Sequence, residues 1–237
     1  MKLHEVSKHC TKYWVSEDVY ADFNVNWFNQ VQSQGSITAE KSNSGRRPVT
    51  RLVKLNIPMV KRHYFRGGVP AYLSEDRFVF TGYHKSRCYK ELVLLASMYN
   101  AGLPVPKPVA AKCKREGVFY NADILMLEIE NTKTLVEQLS RADLKHELWI
   151  KIGRTIKQFH KFGIQHVDLN ANNILVDDQE NVFLIDFDRC KQRLYSKRWA
   201  EQGLLRLARS LKKEKTKQDA LHYHESMFLA LRQGYES

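Results

Sequence analysis

The chain has 237 residues, 43% of them hydrophobic and 27% charged, which excludes a disordered tail or a fibre and leaves room for one large domain or two lobes with real cores. No run approaches the roughly 18 uninterrupted apolar residues of a membrane span, the segment Met1 to His9 lacks the apolar centre of a signal peptide, and Cys10, Cys88, Cys113 and Cys190 form no Cys-x-x-Cys pair. A soluble cytoplasmic protein with reduced thiols is expected, and its formal charge of +12 suits polyanionic partners: nucleic acid, anionic lipid headgroups or phosphorylated substrates.

Residues 1 to about 35 are weakly patterned, and the polar run from Gln32 to Gly45 is predicted as loop. Strands are expected at Leu52–Leu55 and Met59–Phe65 around a turn at Asn56-Ile57-Pro58. A loop carrying Gly45, followed by a strand carrying Lys61 and Arg62, is an order that suits the phosphates of a nucleotide. Strand neighbours point to opposite faces, so only one of these two cations can look inward.

A helix is predicted from about Lys85 to Ala101, because Cys88, Leu92, Leu95, Ala96 and Tyr99 share one stripe. Gly102 stops it and Pro104 prevents its continuation. Glu91 lies at the edge of the stripe, where a covered carboxylate needs a cationic partner. An extended connector, Leu103 to Pro108, leads to strand signals at 109–111, 117–120 and 122–127, then to a polar break at Glu128-Ile129-Glu130-Asn131. The helix from His146 to Phe162 carries a core stripe of Leu148, Trp149, Ile152, Ile156 and Phe159 and ends at Gly163.

The segment from His166 to Asp188 is the most informative. A polar turn, His166-Val167-Asp168-Leu169-Asn170-Ala171-Asn172-Asn173, precedes a predicted hairpin of Ile174–Val176 and Val182–Ile185, and Asp186-Phe187-Asp188 follows. Such a hairpin brings Asp168, Asn173 and Asp186 to its open end, with Asn173 facing Asp186. Phosphoryl transfer needs metal ions held by oxygen ligands and a carboxylate beside the attacking hydroxyl, and these side chains supply both. Beyond it, a cationic helix is predicted from Trp199 to about Lys215, with Leu204, Leu207 and Leu211 as its apolar seam and Arg206, Arg209, Lys212 and Lys215 as a basic stripe.

His-x-Asp-Leu-x-x-x-Asn, a hairpin and Asp-Phe resemble the catalytic and metal loops of the protein-kinase-like fold. The resemblance implies an α+β, two-lobed architecture with an N-terminal lobe over 1–127 and a reduced C-terminal lobe over 128–237. It implies that Asp168 accepts or orients the proton of the acceptor hydroxyl, that Asn173 and Asp186 bind magnesium, and that Glu91 pairs with Arg62 or Lys61 at the phosphates of ATP. Gly45 would lie in the phosphate loop, and Met126 and Glu128 would flank the nucleotide at the hinge. The chain departs from the pattern: Val167 stands for the usual arginine, Asn170 for lysine and Asp188 for glycine, and no Ala-Pro-Glu string follows.

Further strings narrow the likeness: Arg62-His63-Tyr64-Phe65-Arg66-Gly67-Gly68, Ala101 to Pro108, Ala122 to Leu125, Asp186 to Cys190 and Leu204 to Leu211. Over about residues 45–215 the chain resembles the kinases of 3-deoxy-D-manno-octulosonic acid (Kdo), in the lipopolysaccharide kinase group. The resemblance favours Arg62 as the strand cation. It implies ATP-dependent phosphorylation of the 4-hydroxyl of Kdo on a Kdo-lipid A precursor, by a peripheral protein on the cytoplasmic face of the inner membrane. A basic surface suits an acidic glycolipid on an anionic bilayer, and the Arg66-Gly67-Gly68 turn suits a sugar-facing loop or a plain tight turn. The alternatives are an atypical serine/threonine kinase of the RIO type, which the Arg-His-Tyr-Phe-Arg-Gly-Gly string disfavours, and a pseudokinase-like binding module, which the retained Asp168, Asn173, Asp186 and Glu91 disfavour. No nucleic-acid partner is expected, because no recognisable module accompanies the charge.

Overall fold

A computed structural model describes residues 1–29, 49–65 and 76–237. The expectations attached to Gly45 and to the Arg66-Gly67-Gly68 turn lie outside these residues. The chain divides into two compact units, the first comprising residues 1–100 and 107–128, the second 101–106 and 129–237.

The first unit is built on an antiparallel sheet. Its strands are β1 (Leu3–Lys8), β2 (Thr11–Ser16), β3 (Thr50–Lys54), β4 (Ile57–His63), β5 (Phe78–Val79), β6 (Pro108–Glu116) and β7 (Phe119–Leu127), in the order β1-β2-β6-β7-β4-β3, with β5 also pairing with β7. The β3–β4 connection is tighter than expected: Leu55 and Asn56 both have positive φ, 53° and 59°, the backbone of a two-residue hairpin turn. Alternation along the strands gives the sheet two apolar faces. One face is covered by the short helix α1 (Glu17–Tyr20) and a 3-10 turn at Val25–Phe28, and Tyr13, Val15, Val19, Trp27, Phe28, Met59, Ala110 and Leu125 form its core. The other face takes α2 (Arg87–Asn100), which buries Leu92, Leu95 and Met98. Trp14 points to that side and meets Tyr89 of α2, ring centroids 4.8 Å apart. The weakly patterned N-terminus is thus a sheet edge plus a covering layer.

The second unit starts with β8 (Thr132–Thr134) and α3 (Leu135–Leu139), whose start is a capping box: the Glu137 N–H donates to Thr134 Oγ1 at 3.1 Å and the Thr134 N–H to Glu137 Oε2 at 2.7 Å. There follow α4 (His146–Lys161), β9 (Ile164–Gln165), the hairpin β10 (Ile174–Asp177) and β11 (Val182–Leu184), β12 (Lys191–Gln192), α5 (Lys197–Lys217) and α6 (Glu225–Glu236). Hairpin and β8 form one small sheet in the order β11-β10-β8, and β12 pairs with β9. Helix α6, which the sequence reading left without an element, packs on α4 through two glycines. A Cβ at Gly153 would stand 2.0 Å from the Leu231 carbonyl oxygen, and one at Gly234 would stand 2.1 Å from that of Ile150. Only glycine permits this approach of two backbones.

Candidate active site

In the second unit, short-range hydrogen bonds shape the segment 166–188. Register pairs Ile174 with Leu184, and the Ile185 N–H donates to the Asn173 carbonyl at 3.1 Å. Asn173 therefore stands opposite Ile185, with Asp186 one residue further, rather than directly across from Asp186. Asn173 Nδ2 donates to the Asp168 carbonyl at 2.9 Å, which ties the two ends of the loop together. The Asn173 Oδ1 atom and the exposed Asp168 carboxylate accept no hydrogen bond among the described residues. Asn170, in the position where lysine was noted as the usual residue, is engaged by the loop itself: its Nδ2 donates to the Asp168 carbonyl at 3.1 Å and its Oδ1 accepts from the Asn172 N–H at 2.9 Å.

His166 is the brace between the two halves of this segment. Its Nε2 lies 3.0 Å from the Ile185 carbonyl, and its Nδ1 accepts the Asp168 N–H at 3.2 Å. Those partners require the neutral ring with the proton on Nε2. Burial pushes the imidazole below its ordinary value, against the pull of the Ile185 carbonyl, Asp186 and Asp168. One side of the ring meets Phe187 at 4.9 Å, and Phe187 in turn stacks on Phe159 of α4 at 5.8 Å. Asp186 sits between the Ile185 anchor and the buried Phe187 with φ of 65°, a left-handed conformation that costs about 1 kcal/mol or more and persists only where its surroundings fix it.

The first unit assembles its polar group from distant residues. Arg62 on β4 pairs with the buried Glu91 of α2, and the Tyr64 hydroxyl donates to the same Glu91 Oε2 at 2.6 Å. Burial, then the Glu91 charge, push the Tyr64 phenol well above its ordinary value, so it stays a donor. Lys61 points the other way and donates to the Phe28 carbonyl at 3.1 Å. The open alternative for Glu91 thus falls to Arg62. Tyr64 was missed by the sequence reading, although its place two residues after Arg62 puts it on the same strand face. Met126 is half-buried and pairs with Val60 across the sheet. Glu128 closes the unit, its carboxylate on Arg51 Nε at 2.6 Å and its N–H on the Pro58 carbonyl at 3.0 Å.

Asn173 and Asp186 offer hard oxygen donors, which fit magnesium held by one or two protein groups plus substrate phosphates. No cluster of three or more His, Cys, Asp or Glu among the described residues could hold a metal alone. An exposed carboxylate beside two such oxygens, braced by a neutral histidine, is the chemistry of a phosphotransferase, and the α+β architecture is protein-kinase-like.

Comparison with known proteins gives that class a family. The lipopolysaccharide kinase (Kdo/WaaP) family model matches residues 29–226, and the chain belongs to that family. It is 40% identical over 222 residues to a 3-deoxy-D-manno-octulosonic acid kinase of Photobacterium profundum, covering 94% of this chain and 91% of the relative. A protein of the same name from Vibrio vulnificus is 38% identical over 224 residues, with 94% and 92% covered. Another, from Actinobacillus succinogenes, is 39% identical over 180 residues, 74% of each chain.

Proposed function

We propose that the protein transfers the terminal phosphoryl group of ATP to the 4-hydroxyl of Kdo on a Kdo-lipid A precursor. The observation that carries this reading is the braced segment 166–188 in a chain of this family, with Asp168 left open beside Asn173 and Asp186. In it Asp168 takes or orients the proton of the acceptor hydroxyl, and Asn173 and Asp186 hold magnesium. Magnesium, when bound, neutralises charge on the phosphate oxygens. Arg62, fixed by Glu91 and Tyr64, contacts those phosphates, with Gly45, Met126 and Glu128 as further nucleotide contacts. Incubation with ATP, magnesium and purified Kdo-lipid A precursor, followed by mass analysis of the lipid, tests it: the expected product is heavier by one phosphate on Kdo. Calorimetric titration of magnesium-ATP tests the metal groups. Asp186→Ala is expected to abolish binding and Asn173→Ala to weaken it less, and binding equal to the parent in both variants would overturn their assignment.

The same reading places the protein on the anionic face of the inner membrane. No helix among the described residues is long and apolar enough to cross a membrane. What supports peripheral contact is the turn before α5, where Leu194 is 92% exposed and Tyr195 54% exposed, with Lys191, Arg193, Lys197 and Arg198 around them. The turn is held firm: Trp199 Nε1 donates to the Leu194 carbonyl at 3.1 Å and the Arg193 N–H to the Gly163 carbonyl at 2.9 Å. The α5 stripe is the weaker candidate. Lys212 pairs with Glu225 at 2.6 Å, and Lys215 donates to the carbonyls of Asp219 and Leu221 at 2.8 Å each. Leu194→Asp combined with Lys197→Glu and Arg198→Glu is expected to reduce sedimentation with anionic vesicles at low salt. Parental binding in that variant would remove the turn from the role.

A further inference from the structure

The loop 166–173 contains no lysine or arginine. Asn170 cannot substitute for one, since both ends of its amide are used within the loop. A cation beside Asp168 must come from elsewhere, and α5 is a cation-bearing helix that lies against the loop. The Ala171 N–H donates to Ser210 Oγ at 3.2 Å, and a Cβ at Gly203 would stand 3.7 Å from Leu169 Cδ2. Residues 203, 207 and 210 therefore mark the face of α5 that meets the loop. Arg206 lies on the flank of that face, one turn before Ser210.

Arg206 differs from the basic residues of α5 that are already engaged. Lys212 and Lys217 pair with Glu225 and Glu214, and Lys215 is spent on backbone carbonyls. Arg206 is exposed, and its guanidinium makes no ion pair or hydrogen bond among the described residues. Its charge is felt at buried His166, whose protonation it opposes. An open guanidinium on the flank of the helix face that meets the loop suits a planar anion on the acceptor, because its fork of N–H donors matches a carboxylate in two-point contact. The acceptor of the proposed reaction is a sugar acid.

We infer that Arg206 receives the carboxylate of the acceptor sugar and thereby holds the reacting hydroxyl at Asp168, an inference that rests on the Kdo reading. Arg206 is then a substrate-binding residue that selects acidic sugars. The same loop without Arg206 would accept the nucleotide as before and lose grip on the acceptor.

The test uses the full chain, the Kdo-lipid acceptor and the same acceptor with its carboxylate converted to the methyl ester. Arg206→Ala is expected to raise the KM for the acid acceptor roughly 10- to 100-fold, the scale of a charge-assisted contact, with the KM for ATP and the slow hydrolysis of ATP by water unchanged. Arg206→Lys is expected to fall between, and Arg209→Ala, one step further round the helix, to match the parent. With the ester, the parent is expected to drop to the level of Arg206→Ala, and the variant to lose nothing more. An Arg206→Ala penalty that persists on the ester overturns the inference alone. So does a parallel fall in ATP hydrolysis by water, which would put the charge at the transferred phosphoryl group. A parent inactive on both acceptors overturns the Kdo reading and this inference with it.

Discussion

The polar group of the first unit and that of the second are built in opposite ways. Arg62 comes from a strand, Tyr64 from just past its end and Glu91 from a helix, and they meet in a buried spot, so each needs the others to offset the cost of leaving water. Asp168, Asn173 and Asp186 come from one continuous stretch, and backbone groups position them: the Asp168 carbonyl, the Asn173 carbonyl and the Ile185 carbonyl are the atoms that bind. On the proposed reading the buried group ties function to stability, whereas the exposed Asp168 carboxylate has no part in holding the loop together. Substitutions should therefore separate activity from folding in the second unit and join them in the first.

The largest separation is expected at Asp168. Asp168→Asn should lower turnover by roughly two to four orders of magnitude, the usual scale for a general base, while the urea midpoint stays at the parental value, because the loop uses the Asp168 backbone and not its carboxylate. Steady-state kinetics beside chemical unfolding checks both halves. A destabilised Asp168→Asn would break the contrast.

Glu91→Ala should do the reverse and damage both properties. It strips the acceptor from the Arg62 guanidinium and the Tyr64 hydroxyl together, and loss of one partner from a buried pair costs about 3 kcal/mol. Equilibrium unfolding should show that loss, and calorimetry should show weakened ATP binding in the folded fraction.

A third outcome concerns pH. Burial lowers the His160 ring, which faces the Tyr235 hydroxyl at 2.8 Å and the edge of Trp199, from 6.5 to about 4. The unfolded chain protonates at the higher value, so the stability contributed by the neutral ring is complete above pH 6.5 and drains away as pH falls toward 4. The slope is about 1.4 kcal/mol per pH unit, or about 2 kcal/mol between pH 6.5 and 5. His166 shifts in the same direction and adds to it. Thermal midpoints across this range should fall steeply for the parent and less steeply for His160→Phe, whose ring has no proton to gain.

These differences also explain what could be read from the residues alone. The segment 166–188 was legible because its information is local: alternating Ile174, Val176, Val182 and Leu184 define the hairpin, and turn residues define its ends. Helices α2, α4 and α5 were legible through their apolar stripes, with ends displaced by at most two residues. The N-terminal layer was not, since β1 and β2 are an edge pair whose apolar residues serve both faces of the sheet, Tyr13 and Val15 on one and Trp14 on the other. Helix α6 was hidden for a related reason. Its contact with α4 depends on Gly153 and Gly234, residues that sequence rules count as helix breakers.

The smallest expected effect decides the finest point, the choice between adjacent cations. Lys61 and Arg62 are equal in charge, and beside the family resemblance it is the strand's alternation that separates them. Lys61→Met keeps the apolar stem and removes one hydrogen bond to the Phe28 carbonyl, a loss of about 1 kcal/mol. The covering layer of Trp27 and Phe28 should loosen slightly while ATP affinity stays within twofold of the parent. Arg62→Met, by contrast, takes the guanidinium away from the buried Glu91 carboxylate and should cost both stability and ATP affinity. Calorimetric titration of the two variants in parallel makes the comparison. If Lys61→Met were the one to lose ATP, the phosphate-contacting cation would lie on the Phe28 side of the strand, and the Arg62–Glu91–Tyr64 group would be structural alone.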